Sequence, residues 1–238
     1  MECASSWCGF EKSTRPRLNR PVHFVAVAGL IVALGACGSA EDAEAVRPSL
    51  ARVAGTACLK PILATAVVVE DGLLLTVAHA IAGAEKDLRV IDLDGTELPA
   101  LVVAFDPERD LALLEVDGFH DRIRMAAPEA DSGGTIAAVG SDLTIEGIPY
   151  RILQFVTARS GDIYNKGEVL RQALEIEARV SPGHSGAPLL DRNGAMVGLL
   201  FAGSKSVEDS AWALQTSEIE AFLDSAGRNG EVDRGRCR

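Results

Sequence analysis

The chain has 238 residues, 47% of them hydrophobic, enough to bury one large core or two small ones. Its formal charge is −11; beyond the first 36 positions, which hold four basic and two acidic residues, the chain carries 19 basic and 32 acidic side chains, a net of −13. Such acidity excludes nucleic acid as a partner and excludes purely electrostatic binding to an anionic membrane.

Positions 1–36 read as an export leader. Arg15, Arg17 and Arg20 precede an apolar run of 16 residues, Pro21 to Ala36, interrupted only by His23. That length is short for a membrane span and suits the core of a signal peptide. The run ends Leu34-Gly35-Ala36-Cys37-Gly38, which resembles the lipobox of bacterial lipoproteins. The resemblance implies that Cys37 is lipidated, becomes the first mature residue and anchors the chain, facing the periplasm or the cell exterior. Residues 37–51 are small and acidic and predict a flexible tether. Cys3 and Cys8 leave with the leader, so Cys58 and Cys237 remain. In an oxidising compartment they are expected to pair, the alternative being two separate thiols.

From about Val53 the pattern is short β-type runs divided by turn dipeptides. Ile62 to Glu70 and Leu73 to Ala78 flank Asp71-Gly72, and Leu88 to Leu93 and Leu98 to Ala104 flank Asp94-Gly95. Asp110 to Val116 closes the first half, residues 52–120, and Asp117 to Gly134 reads as the link. The second half, residues 121–238, offers runs at 135–139, 151–159, 173–180, 188–191, 195–201 and 210–214. Only its end reads as a helix. Ser217-Glu218-Ile219-Glu220 has a capping-box pattern, Ile219, Phe222 and Leu223 fall at helical spacing, and Gly227 is the expected terminator. The predicted class is all-β: two packed antiparallel six-stranded β-barrels followed by a C-terminal helix.

Three segments carry chemistry. In Ser181-Pro182-Gly183-His184-Ser185-Gly186-Ala187-Pro188 a serine sits between glycines that let the backbone turn sharply. Such a loop presents a nucleophile, and the N–H groups of Gly183 and Ser185 are the candidate oxyanion hole. Upstream, Leu75-Thr76-Val77-Ala78-His79 ends an apolar run with a candidate base. Asp106-Pro107-Glu108-Arg109-Asp110-Leu111-Ala112-Leu113-Leu114 sets an acid directly before a strand. An esterase-type nucleophile elbow is excluded by chain order, because that fold needs its histidine after the serine. The histidines are His23, His79, His120 and His184, and none follows Ser185.

The three segments resemble those of trypsin-like, chymotrypsin-fold serine proteases, in the order His79, Asp110, Ser185. Within that group the chain looks similar to HtrA-like and actinobacterial acid-resistance periplasmic serine proteases over residues 53–237. The features that carry this are Gly161-Asp162-Ile163-Tyr164, the run Phe201-Ala202-Gly203-Ser204 and the terminal cysteine pair. The resemblance implies an exported serine endopeptidase with polypeptide substrates, needing no metal and no cofactor, and no clustered His/Cys ligand pattern is present. It implies a substrate strand along Phe201-Ala202-Gly203, Arg179 at the pocket floor, and Val180 and Ala202 as walls admitting a small or medium apolar side chain.

Departures from the pattern are Ala64-Thr65-Ala66-Val67 where G-S-G-F is usual, Ala187 for the second glycine after the nucleophile, and His184 for an acid or Asn. Each alanine is tolerable only where the backbone avoids positive φ. His184 is expected to be solvated and structurally neutral, with a pH-sensitive oxyanion loop as the alternative. The second functional expectation is a catalytically weak protease-fold lipoprotein that binds peptides or a partner.

Overall fold

The computed structural model describes residues 38–227 and 230–237. The leader over 1–36 and the lipidation site Cys37 lie outside the described residues. Among the described residues no helix is long and apolar enough to cross a membrane.

The elements begin with α1 (Gly38–Ala45), a 3-10 turn at Arg47–Ser49, and β1 (Leu50–Ala54). Of the tether expected over 37–51, the described residues 38–51 form helix, turn and strand instead, which corrects the sequence reading there. Ala43 is fully buried, and Leu50 and Ala51 are already strand residues paired with Val67 and Ala66. Small residues let α1 lie close to its neighbours, with Glu41 and Glu44 exposed.

The first half continues with β2 (Thr56–Ala57), β3 (Lys60–Pro61), β4 (Ala64–Glu70), β5 (Leu73–Thr76), the single turn α2 (Ala78–Ile81), β6 (Arg89–Ile91), β7 (Glu97–Pro99), β8 (Leu101–Asp106) and β9 (Leu111–Glu115). Its main sheet is antiparallel and has seven strands, ordered β7-β6-β1-β4-β5-β9-β8, rather than six. The extra strand arises because the run expected over 98–104 breaks at Ala100. Pro99 has no N–H to continue the ladder, and the Ala100 N–H turns to the Leu88 carbonyl at 3.4 Å. The small β2–β3 hairpin has Cys58 at φ 54° and Leu59 at φ 65°, the positive-φ pair of a tight two-residue turn.

The second half is β10 (Gly133–Val139), β11 (Ile145–Ser160), β12 (Val169–Glu177), β13 (Pro188–Leu190), β14 (Met196–Gly203) and β15 (Ser210–Gln215), followed by α3 (Thr216–Ser225). These six strands close into an antiparallel barrel. β11 and β12 both extend past their apolar runs, pairing as far as Ser160 with Val169. The α3 helix starts at Thr216 with Gln215 as its N-cap, two residues earlier than the capping pattern suggests, and has no side-chain cap. Glu218 is engaged elsewhere: it accepts the Gln172 N–H at 2.7 Å and lies 3.6 Å from the Arg109 guanidinium.

Three apolar clusters organise the core. Ala64, Ala66, Val68, Leu74 and Leu114 lie inside the first half. Ile136, Ile152, Leu174 and Leu189 lie inside the second. The third cluster joins the halves, bringing Val67, Leu75 and Leu113 against Val139, Leu199 and Phe222. β4 therefore buries both faces, which is why it reads as a continuous apolar run rather than an alternating one. Ala64, Ala66 and Ala187 are buried and none has positive φ, so the missing glycines leave no strain. Asp191 caps the turn that follows β13: burial pushes its carboxyl up, but the N–H groups of Ala195 and Asn193 outweigh this and hold it below the usual carboxylate range.

Candidate active site

The candidate catalytic residues meet at the seam between the halves. β5 ends at Thr76 and the chain turns into α2, which carries His79. Asp110 stands in the turn before β9, at φ 61°, a backbone region that Asp tolerates better than most residues. Both of its carboxylate oxygens serve His79. Oδ1 accepts the His79 backbone N–H at 2.8 Å, and Oδ2 lies 2.7 Å from Nδ1 of the ring. The Asp110 carbonyl accepts the Ala78 N–H at 3.2 Å. The imidazole is thus fixed in plane and in tautomer, with Nδ1 protonated and Nε2 free to accept. Nε2 lies 3.3 Å from Ser185 Oγ. Asp110 is buried, its side chain 7% exposed, and that of His79 19%.

Ser185 is held by its backbone. Gly183 (φ 104°) and Gly186 (φ 82°) flank the segment in conformations that other residues rarely adopt. A Cβ on Gly186 would collide with the Thr65 carbonyl oxygen. The Ser185 carbonyl accepts the Thr65 N–H at 2.9 Å, and the Gly186 N–H donates to Leu200 at 2.8 Å. Among the described residues, the N–H groups of Gly183 and Ser185 donate to no acceptor. Two unengaged N–H groups beside a hydroxyl and an oriented imidazole can stabilise an oxyanion while the hydroxyl attacks.

A cleft of about 480 Å³ opens beside them, lined by Val180, Ser181, Pro182 and the run Phe201 to Lys205. The end of β14, Ala202 and Gly203, pairs with β15 on one side, while β13 pairs with β14 only as far as Leu199. An extended peptide could add to the open edge. A Cβ on Gly203 would lie 2.9 Å from Val180 Cγ2, so the slot between these segments is narrow. Arg179 does not form its floor. Its side chain is 74% exposed and forms salt bridges with Glu208 and Asp209, away from the buried Ala178 beside it.

His184 is likewise not solvated. Its side chain is 11% exposed, Nδ1 accepts the Ser181 N–H at 3.1 Å, and Nε2 lies 3.3 Å from Glu146 Oε2. The bend at Gly183 folds the ring back against its own loop. Three positions at the site were not legible as functional. Thr65, fully buried, joins both halves: besides the Ser185 contact, its Oγ1 accepts the Val139 N–H and its carbonyl accepts the Thr76 hydroxyl. Glu146 reads as an ordinary surface acid. Arg171 is 5% exposed and ties the acid-bearing turn to the end of β11, donating to the carbonyls of Glu108 and Gly161 and to Ser160 Oγ. Its signal was an arginine at an inward position of an alternating strand.

Cys58 and Cys237 are joined, with Cα atoms 5.5 Å apart. The tail they hold runs along the first half, where Val232 N–H donates to the Val102 carbonyl and the Gly83 N–H to the Arg234 carbonyl. Arg236 N–H then donates to the Tyr164 hydroxyl at 3.1 Å, and its guanidinium lies 4.9 Å from the centre of that ring. Tyr164 belongs to the β11–β12 loop whose Gly161, Asp162 and Asn165 line the cleft. Among the described residues no group of three or more His, Cys, Asp or Glu is placed to hold a metal ion.

Comparison with known proteins agrees with this architecture. Serine protease Rv3671c of Mycobacterium tuberculosis (strain H37Rv) is 28% identical over 199 residues, covering 81% of this chain and 50% of that protein. A Brucella suis protein named "probable periplasmic serine endoprotease DegP-like" is 28% identical over 181 residues, covering 71% of this chain and 33% of its own length. The chain thus spans half or less of these relatives. The crystal structure of the Rv3671c protease in its active form superposes with a TM-score of 0.78 at 27% identity, covering 84% of this chain and 90% of that one. The inactive form gives 0.68 at 26%, covering 80% and 94%. The family described as trypsin-like peptidase domain matches residues 64–199, more than half of the sequence. The chain belongs to that family.

Proposed function

We propose that this protein is an exported, lipid-anchored serine endopeptidase. The observation that carries the reading is the hydrogen-bonded line from Asp110 through His79 to Ser185, set beside two N–H groups that have no acceptor among the described residues. Ser185 Oγ attacks the carbonyl carbon of a peptide bond as His79 Nε2 takes its proton. The carbonyl oxygen becomes an oxyanion held by the Gly183 and Ser185 N–H groups. Collapse of the tetrahedral intermediate breaks the C–N bond, and His79 returns the proton to the leaving amine. Water then attacks the acyl-enzyme by the same route and regenerates the hydroxyl. Asp110 orients His79 and stabilises its charged form. The better superposition on the active form of Rv3671c than on the inactive one supports a competent loop.

The substrate is a polypeptide bound as a strand along Phe201-Ala202-Gly203. The close approach of Val180 to Gly203 supports a small or medium apolar side chain before the cleaved bond. Export is supported by the leader pattern and by the periplasmic name of the Brucella relative. Anchoring through lipid on Cys37 rests on the lipobox pattern alone. The test is to react the full chain with a fluorophosphonate probe beside Ser185→Ala. Labelling and casein cleavage are expected in the wild type and should fall by roughly four to six orders of magnitude in the variant, which should stay folded. A folded wild type that takes no label would make the cleft a peptide-binding groove instead.

A further inference from the structure

We propose that Glu146, acting through His184, is a positioning residue for the N–H groups of Gly183 and Ser185; the inference rests on the serine-peptidase reading above. Gly183 has little to hold it in place. Its φ is 104°, and among the described residues its N–H is unengaged and a Cβ there would meet only Leu63 Cβ, at 3.7 Å. The orientation of this peptide therefore depends on the residues either side.

Those residues are locked to each other. The Ser181 N–H donates to His184 Nδ1, and the His184 N–H donates to the Ser181 carbonyl, both at 3.1 Å. Together the two bonds close a small ring of backbone and imidazole around Pro182 and Gly183. Because Nδ1 accepts, the ring proton belongs on Nε2. Nε2 lies 3.3 Å from Glu146 Oε2, near enough for the carboxylate's charge to favour the tautomer that the loop needs. Asp110 favours the tautomer of His79 in a related way, with the nitrogens exchanged and through a 2.7 Å hydrogen bond.

The support for Glu146 is itself rigid. Glu146 lies opposite Ala138 in the β10–β11 ladder. The next residue of β10, Val139, donates its N–H to Thr65, whose own N–H holds the Ser185 carbonyl. One hairpin thus braces the oxyanion loop at two neighbouring residues, through Thr65 at Ser185 and through Glu146 at His184. Glu146 touches no reacting atom. A half-exposed acid on a strand edge would otherwise contribute little, as surface ion pairs do.

The experiment is a mutant cycle in the full chain: wild type, Glu146→Gln, His184→Asn and the double variant. Readouts are the second-order rate constant for fluorophosphonate labelling, kcat and KM on a fluorogenic casein peptide, and the thermal midpoint. Glu146→Gln should lower labelling and kcat about tenfold, on the scale of weakening one oxyanion donor, with KM and the midpoint unchanged. In the His184→Asn background the same replacement should change neither rate by more than about twofold, because the path runs through the imidazole. Labelling of Glu146→Gln within about twofold of wild type, or an equal fall in both backgrounds, overturns the proposal. If wild type takes no label, the peptidase reading falls and this inference with it; a labelled wild type with an unaffected Glu146→Gln overturns this inference alone.

Discussion

Replacing Thr65 by Val tests whether the seam between the halves depends on one hydroxyl. Val has nearly the same shape, so no cavity opens. What is lost is the Oγ1 that accepts the Val139 N–H at 2.9 Å. Thr65 is fully buried and Val139 is 3% exposed, so water cannot replace the acceptor. An orphaned buried N–H costs about 1–3 kcal/mol, and burying a methyl where the hydroxyl stood offsets part of that, leaving about 2 kcal/mol. For a domain of this size each kcal/mol moves Tm by about 2–4 °C, so a fall of about 4–8 °C is expected in scanning calorimetry at neutral pH. The Thr65 N–H that holds the Ser185 carbonyl survives the change, so fluorophosphonate labelling well below Tm should persist. Thr76→Val removes the hydroxyl that donates to the Thr65 carbonyl at 2.8 Å and should cost about 1 kcal/mol. The two changes share one residue and should not add. A Tm for Thr65→Val within about 1 °C of wild type would refute the reasoning, since it would mean that Val139 finds another acceptor at no cost.

Three further outcomes are expected. Cys37→Ser should release the protein from the membrane fraction or block its processing; an unchanged mature mass and distribution would remove the lipid anchor from the proposal. Mass mapping without reduction should find Cys58 linked to Cys237, and Cys237→Ser should lower stability by up to about 5 kcal/mol, because the bridge closes a loop of 179 residues. Finally, Asp87, Asp92, Asp142 and Asp191 are all held below the usual carboxylate range by backbone N–H groups and side-chain hydrogen bonds, against an opposing effect of burial that is largest relative to the other causes in Asp92 and Asp191. A depressed carboxyl stabilises the fold above its unfolded value, and that contribution disappears as pH falls through the folded one. Tm should therefore be flat from about pH 7 to 5 and decline below about pH 4, less steeply in Asp191→Asn.

What could be read from the residues depended on how local the physics was. Strands whose alternation and turns are self-contained, such as β4 and β5 about Asp71-Gly72, were legible because the hairpin is decided within its own residues. The six runs of the second half were legible for the same reason. The tether was misread because a small, acidic stretch gives no local reason to order. Ala43 becomes structural only when a sheet is there to receive it. The capping box failed similarly: the helix starts with Gln215 as its N-cap, before Ser217 could cap it, and Glu218 in its first turn is engaged by Gln172 and Arg109 from distant segments.

The same distinction separates the candidate catalytic residues from those that support them. His79, Asp110 and Ser185 stood out because each sits in a local context that its chemistry requires: a histidine at the end of an apolar run, an acid before a strand, a serine between glycines. The structure brings the three together, but their recognition did not need it. Thr65, Arg171 and Glu146 have no such context, since each acts on a partner dozens of residues away whose proximity the fold alone creates. His184 shows where the boundary falls. Its place in the oxyanion loop made it conspicuous, yet nothing near it in sequence suggested a carboxylate 38 positions earlier. Taken alone it was a solvated imidazole. Beside Glu146 it becomes a second oriented histidine, one that holds a loop rather than moving a proton. If that is its role, the residue standing where an acid or Asn is usual is a brace, and the loop's hold on the oxyanion depends on a strand that sequence reading leaves at the surface.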